Sequence, residues 1–172
     1  MNVLDVENNN IIISSEALCM SFFKKIWDKD KDKNKINAGK DIKYVYFMCD
    51  PRKNLFFKYP TEKRSESIKQ YVLEDLVYKP SKDVEAAIIE YKELIKSPIL
   101  AAIEGAYSAI YNMKKKLEDI EIDPETSQKL IMNLPKMAGA LAEAEKMLAE
   151  ATSSSNRVRG NQTLGALESG EF

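Results

Sequence analysis

Histidine is absent from the 172 residues, which removes the commonest general base, every Ser-His or Cys-His nucleophile and most zinc chemistry. Glycine is scarce, with 6 residues, and none falls into a GxGxxG or GxxxxGK[ST] phosphate-binding pattern. The two cysteines, Cys19 and Cys49, form no CxxC pair and sit in apolar surroundings, which reads as reduced core thiols. Neither sign of charge is in excess: 26 Lys and Arg face 27 Asp and Glu, so no global field draws the chain to nucleic acid or anionic lipid. No run reaches the roughly 18 apolar residues that span a bilayer. The apolar stretch 11–23 follows Asp5 and Glu7 and contains Glu16, so it does not read as an export signal. Together these absences predict a non-enzyme without cofactor, metal, small-molecule substrate or membrane span.

What is present is the composition of a folded, heavily charged helical protein, 44% hydrophobic and 31% charged. The fold class expected is mainly α: a long antiparallel helical hairpin, a smaller aromatic-rich helical N-terminal part and extended terminal arms. Four segments follow along the chain. Residues 1–13 form an extended N-terminal segment, polar at first and ending in the β-branched run Ile11-Ile12-Ile13. Residues 14–80 form the aromatic-rich, mostly helical region. Its first helix, capped by Ser14 or Ser15, is predicted to run through Ala17, Leu18, Phe22, Phe23, Ile26 and Trp27. From Asp28 to Asn37 lysine and aspartate alternate in a solvated helix end or loop. Helix and strand compete for residues 38–48; the length of the segment and the stop at Pro51 favour helix. A further helix capped by Thr61 carries Ile68, Val72 and Leu76.

Residues 81–151 carry the strongest pattern. Val84, Ile88, Tyr91, Ile95, Ile99, Ala102, Ala106, Ile110, Met113, Leu117 and Ile120 recur at intervals of three or four, predicting one helix from about residue 82 to 120. Asp123-Pro124-Glu125 is a restart signal, with Asp123 as cap and Pro124 at the first helical position. A second seam follows in Leu130, Leu134, Met137, Leu141, Ala144 and Leu148, and so short a connection makes the helices antiparallel. Pro98 and Pro135 are expected to kink them. Residues 152–172 are read as an extended C-terminal arm, anchored on a partner through Leu164, Leu167 and Phe172, with Arg157 and Arg159 pairing with carboxylates.

The remaining chemical patterns fail on inspection. Asp28-x-Asp30-x-Asp32 opens like a calcium loop, but Lys33 stands where the turn glycine belongs and Gly39 where the closing glutamate belongs. Lys114-Lys115-Lys116 is followed at once by Glu118, Asp119 and Glu121, which makes nucleic acid an improbable partner. The aromatic half has two readings: a small core packed against the hairpin, or an interface built from Trp27, Tyr44, Tyr46 and Phe47 with Arg52 and Arg64, the residue types that buried interfaces favour.

The pattern Phe23-Lys-Lys-Ile-Trp-Asp28, the run Ile42-Lys-Tyr-Val-Tyr-Phe-Met-Cys-Asp-Pro-Arg52, Tyr59-Pro60, Arg64, the helical hairpin and the closing Arg157-Val-Arg-Gly160 with Thr163-Leu-Gly165 resembles small virion proteins of tailed bacteriophages, including crAss-like phages. The resemblance implies a virion component of the neck between portal and tail. It further implies a homo-oligomeric ring, with the portal and other neck or tail proteins as partners. Alternatives kept open are a capsid auxiliary or packaged cargo protein and an intracellular helical protein-binding module.

Overall fold

The computed structural model describes residues 4–7, 10–119 and 122–160, and the fold is mainly helical, with seven helices and one two-stranded sheet among them. The chain opens on a β-hairpin in which β1 (Leu4–Glu7) pairs antiparallel with β2 (Asn10–Ile13), Leu4 opposite Ile13 and Val6 opposite Ile11. The N-terminal segment is thus extended but not an arm, because Leu4 and Val6 are buried in the chain's own core.

The single helix expected from Ser14 to Trp27 is broken in two. Ser14 caps α1 (Ser15–Leu18) by accepting from the Ala17 amide at 3.1 Å. Met20 then takes extended backbone before α2 (Ser21–Lys29). The break buries Ala17, Phe23 and Ile26 and leaves Phe22 and Trp27 half-covered. It also leaves Cys19 exposed, which corrects its assignment to the core; only Cys49 is buried.

Residues 38–48 are helical, within α3 (Ile36–Cys49). The aspartates before it are put to local use: Asp30 accepts from the Asp32 amide at 2.9 Å and the Ala38 amide at 2.8 Å, holding the turn that starts α3 and drawing the Asp30 carboxyl below its ordinary range. α3 is the central helix. β2, α2, α4 (Thr61–Tyr71) and α5 (Lys82–Ile95) all pack on it, so Ala38, Ile42 and the unbroken run 44–49 are buried. A helix covered on every side has no amphipathic stripe, which is why strand and helix competed here. α4 begins at Thr61 with Pro60, not Thr61, at the cap, and it ends at Tyr71, leaving Leu76 outside the helix and exposed.

The predicted helix from 82 to 120 is two helices. α5 stops at Ile95; Ser97 then caps α6 (Pro98–Leu117), accepting from the Leu100 amide at 3.1 Å, and Pro98 occupies the first position, where its missing N–H costs no bond. Pro98 therefore starts a helix and does not kink one. The break divides the long seam between two cores. Val84, Ala87 and Tyr91 of α5 are buried with α2 and α3, so the boundary drawn at residue 80 does not separate two packing units. α6 packs instead on α7 (Pro124–Gly160), antiparallel to it, in a second core of Leu100 and Ile103 with Leu141, Ala144, Leu148 and Phe57. Ile103, not Ala102, fills the seam position on α6. Pro135 does lie inside α7. Residues 152–160 continue α7 as helix, which corrects the extended arm expected there; the remainder of that arm lies outside the described residues.

Candidate functional site

The C-terminal end of α3 is closed by side chains from elsewhere in the fold. Helix C-termini leave carbonyls without intrahelical donors, and Arg64 on α4 supplies them: it donates to the carbonyls of Met48 at 2.8 Å, Phe57 at 2.7 Å and Tyr59 at 3.2 Å, while its plane stacks 4.4 Å from the Phe57 ring. Asn54 donates to the carbonyls of Phe47 at 2.8 Å and Asp50 at 2.6 Å. Asp50 itself is 0% exposed and accepts from Tyr91 Oη at 2.7 Å, from Arg52 Nε at 2.8 Å and from the Arg52 amide at 2.9 Å. Tyr46 Oη donates to the Arg52 carbonyl. Burial and the Asp50 charge raise the Tyr91 phenol above its ordinary pKa, and the hydrogen bond to Asp50 raises the Arg52 guanidinium. Arg64, by contrast, is lowered by burial, with Glu104 opposing.

This cluster fastens residues 50–59 to α3 and α5 and so fixes what they present outward. Between that loop and the α6–α7 pair lies a cleft of about 460 Å³. Arg52, Lys53 and Lys58 line its loop side, Tyr107 and Glu145 the helical side, and Phe57, Ile103 and Leu148 its apolar floor. Tyr107 donates to Glu145 across the helix pair; burial first, and this bond second, raise its phenol pKa. A cleft of this size, mostly apolar with a few placed charges, falls in the range of pockets that take small ligands.

The residues predicted to form an interface are scattered by the fold. Tyr44, Tyr46 and Phe47 are buried in the chain's own core because α3 is enclosed, so they pack and hydrogen-bond internally, Tyr44 Oη with Ser65 Oγ at 2.8 Å. Arg64 is buried as the clasp just described. Trp27 is half-covered, its carbonyl accepting from Lys35 Nζ at 3.0 Å. Of the aromatic-and-arginine set, Arg52 and Tyr46 line the cleft. Arg157 and Arg159 fall on α7, and Leu164 and Leu167 lie outside the described residues. Lys53, Lys58 and Glu145 were missed; no periodicity marks them, since they meet only through the fold.

The cysteine chemistry is quiet. Cys49 lies 3.7 Å from the Ile88 carbonyl, and burial pushes its thiol up to about 12, far from a nucleophile's range. Among the described residues no three His, Cys, Asp or Glu side chains stand together as metal ligands, and no helix is long and apolar enough to cross a membrane. In comparisons with known proteins, no family model, no curated protein and no solved structure matches the chain.

Proposed function

We propose that the chain is a structural subunit of a tailed-bacteriophage virion, placed in the neck between portal and tail and assembling with copies of itself into a ring. The observation that carries this reading is the one-sided cover of α7. Its 37 residues extend about 55 Å at 1.5 Å per residue. Its half-covered positions follow the seam Leu130, Leu134, Met137, Leu141, Ala144 and Leu148, and none of its described side chains is buried. Its flank keeps Ile131 and Met132 exposed, at 57% and 66%, beside the small residues Ala138 and Ala142. A helix dressed this way presents a face for a second helix to approach. Subunits completed by their neighbours have such faces, and the sequence resemblance to neck proteins supports this choice of assembly.

Purified protein is expected to sediment as a closed oligomer of uniform mass, and mass spectrometry of tailed phage particles is expected to find the chain in them. A monomer at all concentrations, or absence from particles, overturns the reading.

A further inference from the structure

We propose that α7 pairs antiparallel with α7 of a second copy through its outer stripe, with the midpoint of the contact between Gly139 and Ala140. The inference deepens the reading of the chain as an assembling subunit, on which it rests, by naming the partner of that helix and the register in which the two meet.

The stripe reads Lys129, Met132, Lys136, Gly139 and then Ala140, Glu143, Met147, Glu150. Each half steps by three, four and three residues, which keeps both halves on one face of the helix. At about 100° per residue this face is centred about 130° round the helix from the seam that packs on α6. All eight residues are exposed, Met132 at 66% and Met147 at 51%. A Cβ added at Gly139 would meet nothing within 4 Å, so the backbone itself lies open at the midpoint.

The second half of the stripe repeats the first in reverse order with the charge inverted. Reversed about the midpoint, Lys136 falls level with Glu143, Met132 with Met147 and Gly139 with Ala140. An antiparallel copy of the same helix meets this pattern at every level: lysine opposes glutamate, methionine opposes methionine, and the smallest residues sit at the centre, where two helix axes can approach closely. A parallel pair would instead set Lys136 against Lys136 and Glu143 against Glu143, which is repulsive. The central charges are free to pair. Among the described residues the ion pairs of α7 join Lys129 to Glu125 and Lys146 to Glu150, and neither Lys136 nor Glu143 takes part in one. Register is therefore set by Lys136, Glu143 and the two methionines, since Lys129 and Glu150 already have partners within their own chain. From Lys129 to Glu150 the stripe runs about 32 Å at 1.5 Å per residue. A two-fold contact of this kind closes on itself. It doubles whatever the other faces of the chain build: one chain becomes a dimer, and one ring becomes two rings back to back.

The test uses the full chain, prepared as isotope-labelled and unlabelled copies, mixed, and treated with a carbodiimide, which joins a lysine amine to a carboxylate in contact with it. Mass spectrometry then maps the links, and sedimentation gives the mass of the assembly in the same sample. Links between Lys136 of one label and Glu143 of the other are expected, in an assembly with an even number of chains. Lys136→Glu is expected to raise the dissociation constant of the pairing about tenfold at unchanged helicity, because two symmetric attractions become two repulsions. Adding Glu143→Lys is expected to restore the pairing, since the doubly reversed stripe is again self-complementary. Links from Lys136 to other carboxylates of the second chain, or a double variant that stays as weak as the single one, overturn the proposal. If Lys136→Glu loses helicity, the map on the unaltered chain still decides. A closed ring with an odd number of chains, or one without the Lys136 to Glu143 link, overturns the α7 pairing and leaves the subunit reading standing. A dimer that carries this link and builds nothing larger keeps the pairing and overturns the ring.

Discussion

Arg64 donates to the Met48 carbonyl at 2.8 Å, so a side chain on α4 closes the C-terminal end of α3 sixteen residues earlier in the chain. The same guanidinium holds the Phe57 carbonyl, which joins the first core to the 3-10 turn Leu55–Lys58 and, through the Phe57 ring, to the second core. One residue therefore couples the enclosed helix to the cleft wall.

Arg64→Ala should lower the free energy of unfolding by about 3 kcal/mol or more, because each buried carbonyl left without a donor costs about 1–3 kcal/mol. Arg64→Lys should recover only part of this, since an ammonium lacks the planar fork that reaches several carbonyls. Urea midpoints of the three proteins check it; a loss under about 0.5 kcal/mol for the alanine variant would show that water replaces the clasp.

Asp50 and Tyr91 should behave as a coupled pair. Asp50→Ala removes one side of a buried ion pair, a change expected to cost about 3–5 kcal/mol, and Tyr91→Phe removes one hydrogen bond worth about 1 kcal/mol. In the double variant the two losses should fall short of additivity by about 0.5–3 kcal/mol, the range for residues in one network. Strict additivity in a double-mutant cycle would mean that the 2.7 Å bond between them contributes nothing to stability.

Acid should loosen the contact between α2 and α5 over a defined window. Lys25 and Lys29 each stand 2.7 Å from Asp83, and their hydrogen bonds hold its carboxyl at about 2, below the ordinary 3.8. A depressed folded-state pKa gives stability that is full above the unfolded value and is lost as pH falls through the folded one, here between about pH 4 and 2. Asp83→Asn should flatten that part of the stability profile and leave the profile above pH 5 unchanged in shape. An acid limb identical in both proteins would sink this assignment.

The α6–α7 pair should be most sensitive at its inner end. Ile103 is 2% exposed, so Ile103→Ala is expected to cost about 2–5 kcal/mol. Ile110 is only half-covered, and its alanine variant should cost about 1 kcal/mol, less than the seam alone implies. Denaturant unfolding that ranks the two the other way would place the packed face of α6 wrongly.

Much of the helical framework was local and hence legible. Seams at intervals of three and four found α6 and α7, because a helix covered on one side records that side in its sequence. Asp123 before Pro124 marked the start of α7, since capping and the fixed proline φ act within one turn. The same locality misled at Pro98, where an unbroken apolar rhythm hid a chain break that Ser97 and Pro98 make together.

The candidate site was written almost nowhere in the sequence. Tyr44, Tyr46 and Phe47 looked like an interface by residue type alone, and only the packing of β2, α2, α4 and α5 around α3 decided that they are interior. Arg64 looked equally external until three carbonyls from residues 48, 57 and 59 converged on it. Lys53, Lys58 and Glu145 face one cleft although about ninety residues separate the lysines from the glutamate. Sequence fixes helix positions through forces that act over a turn or two, whereas burial, charge pairing and cleft shape depend on which helices meet, and those contacts join residues far apart in the chain.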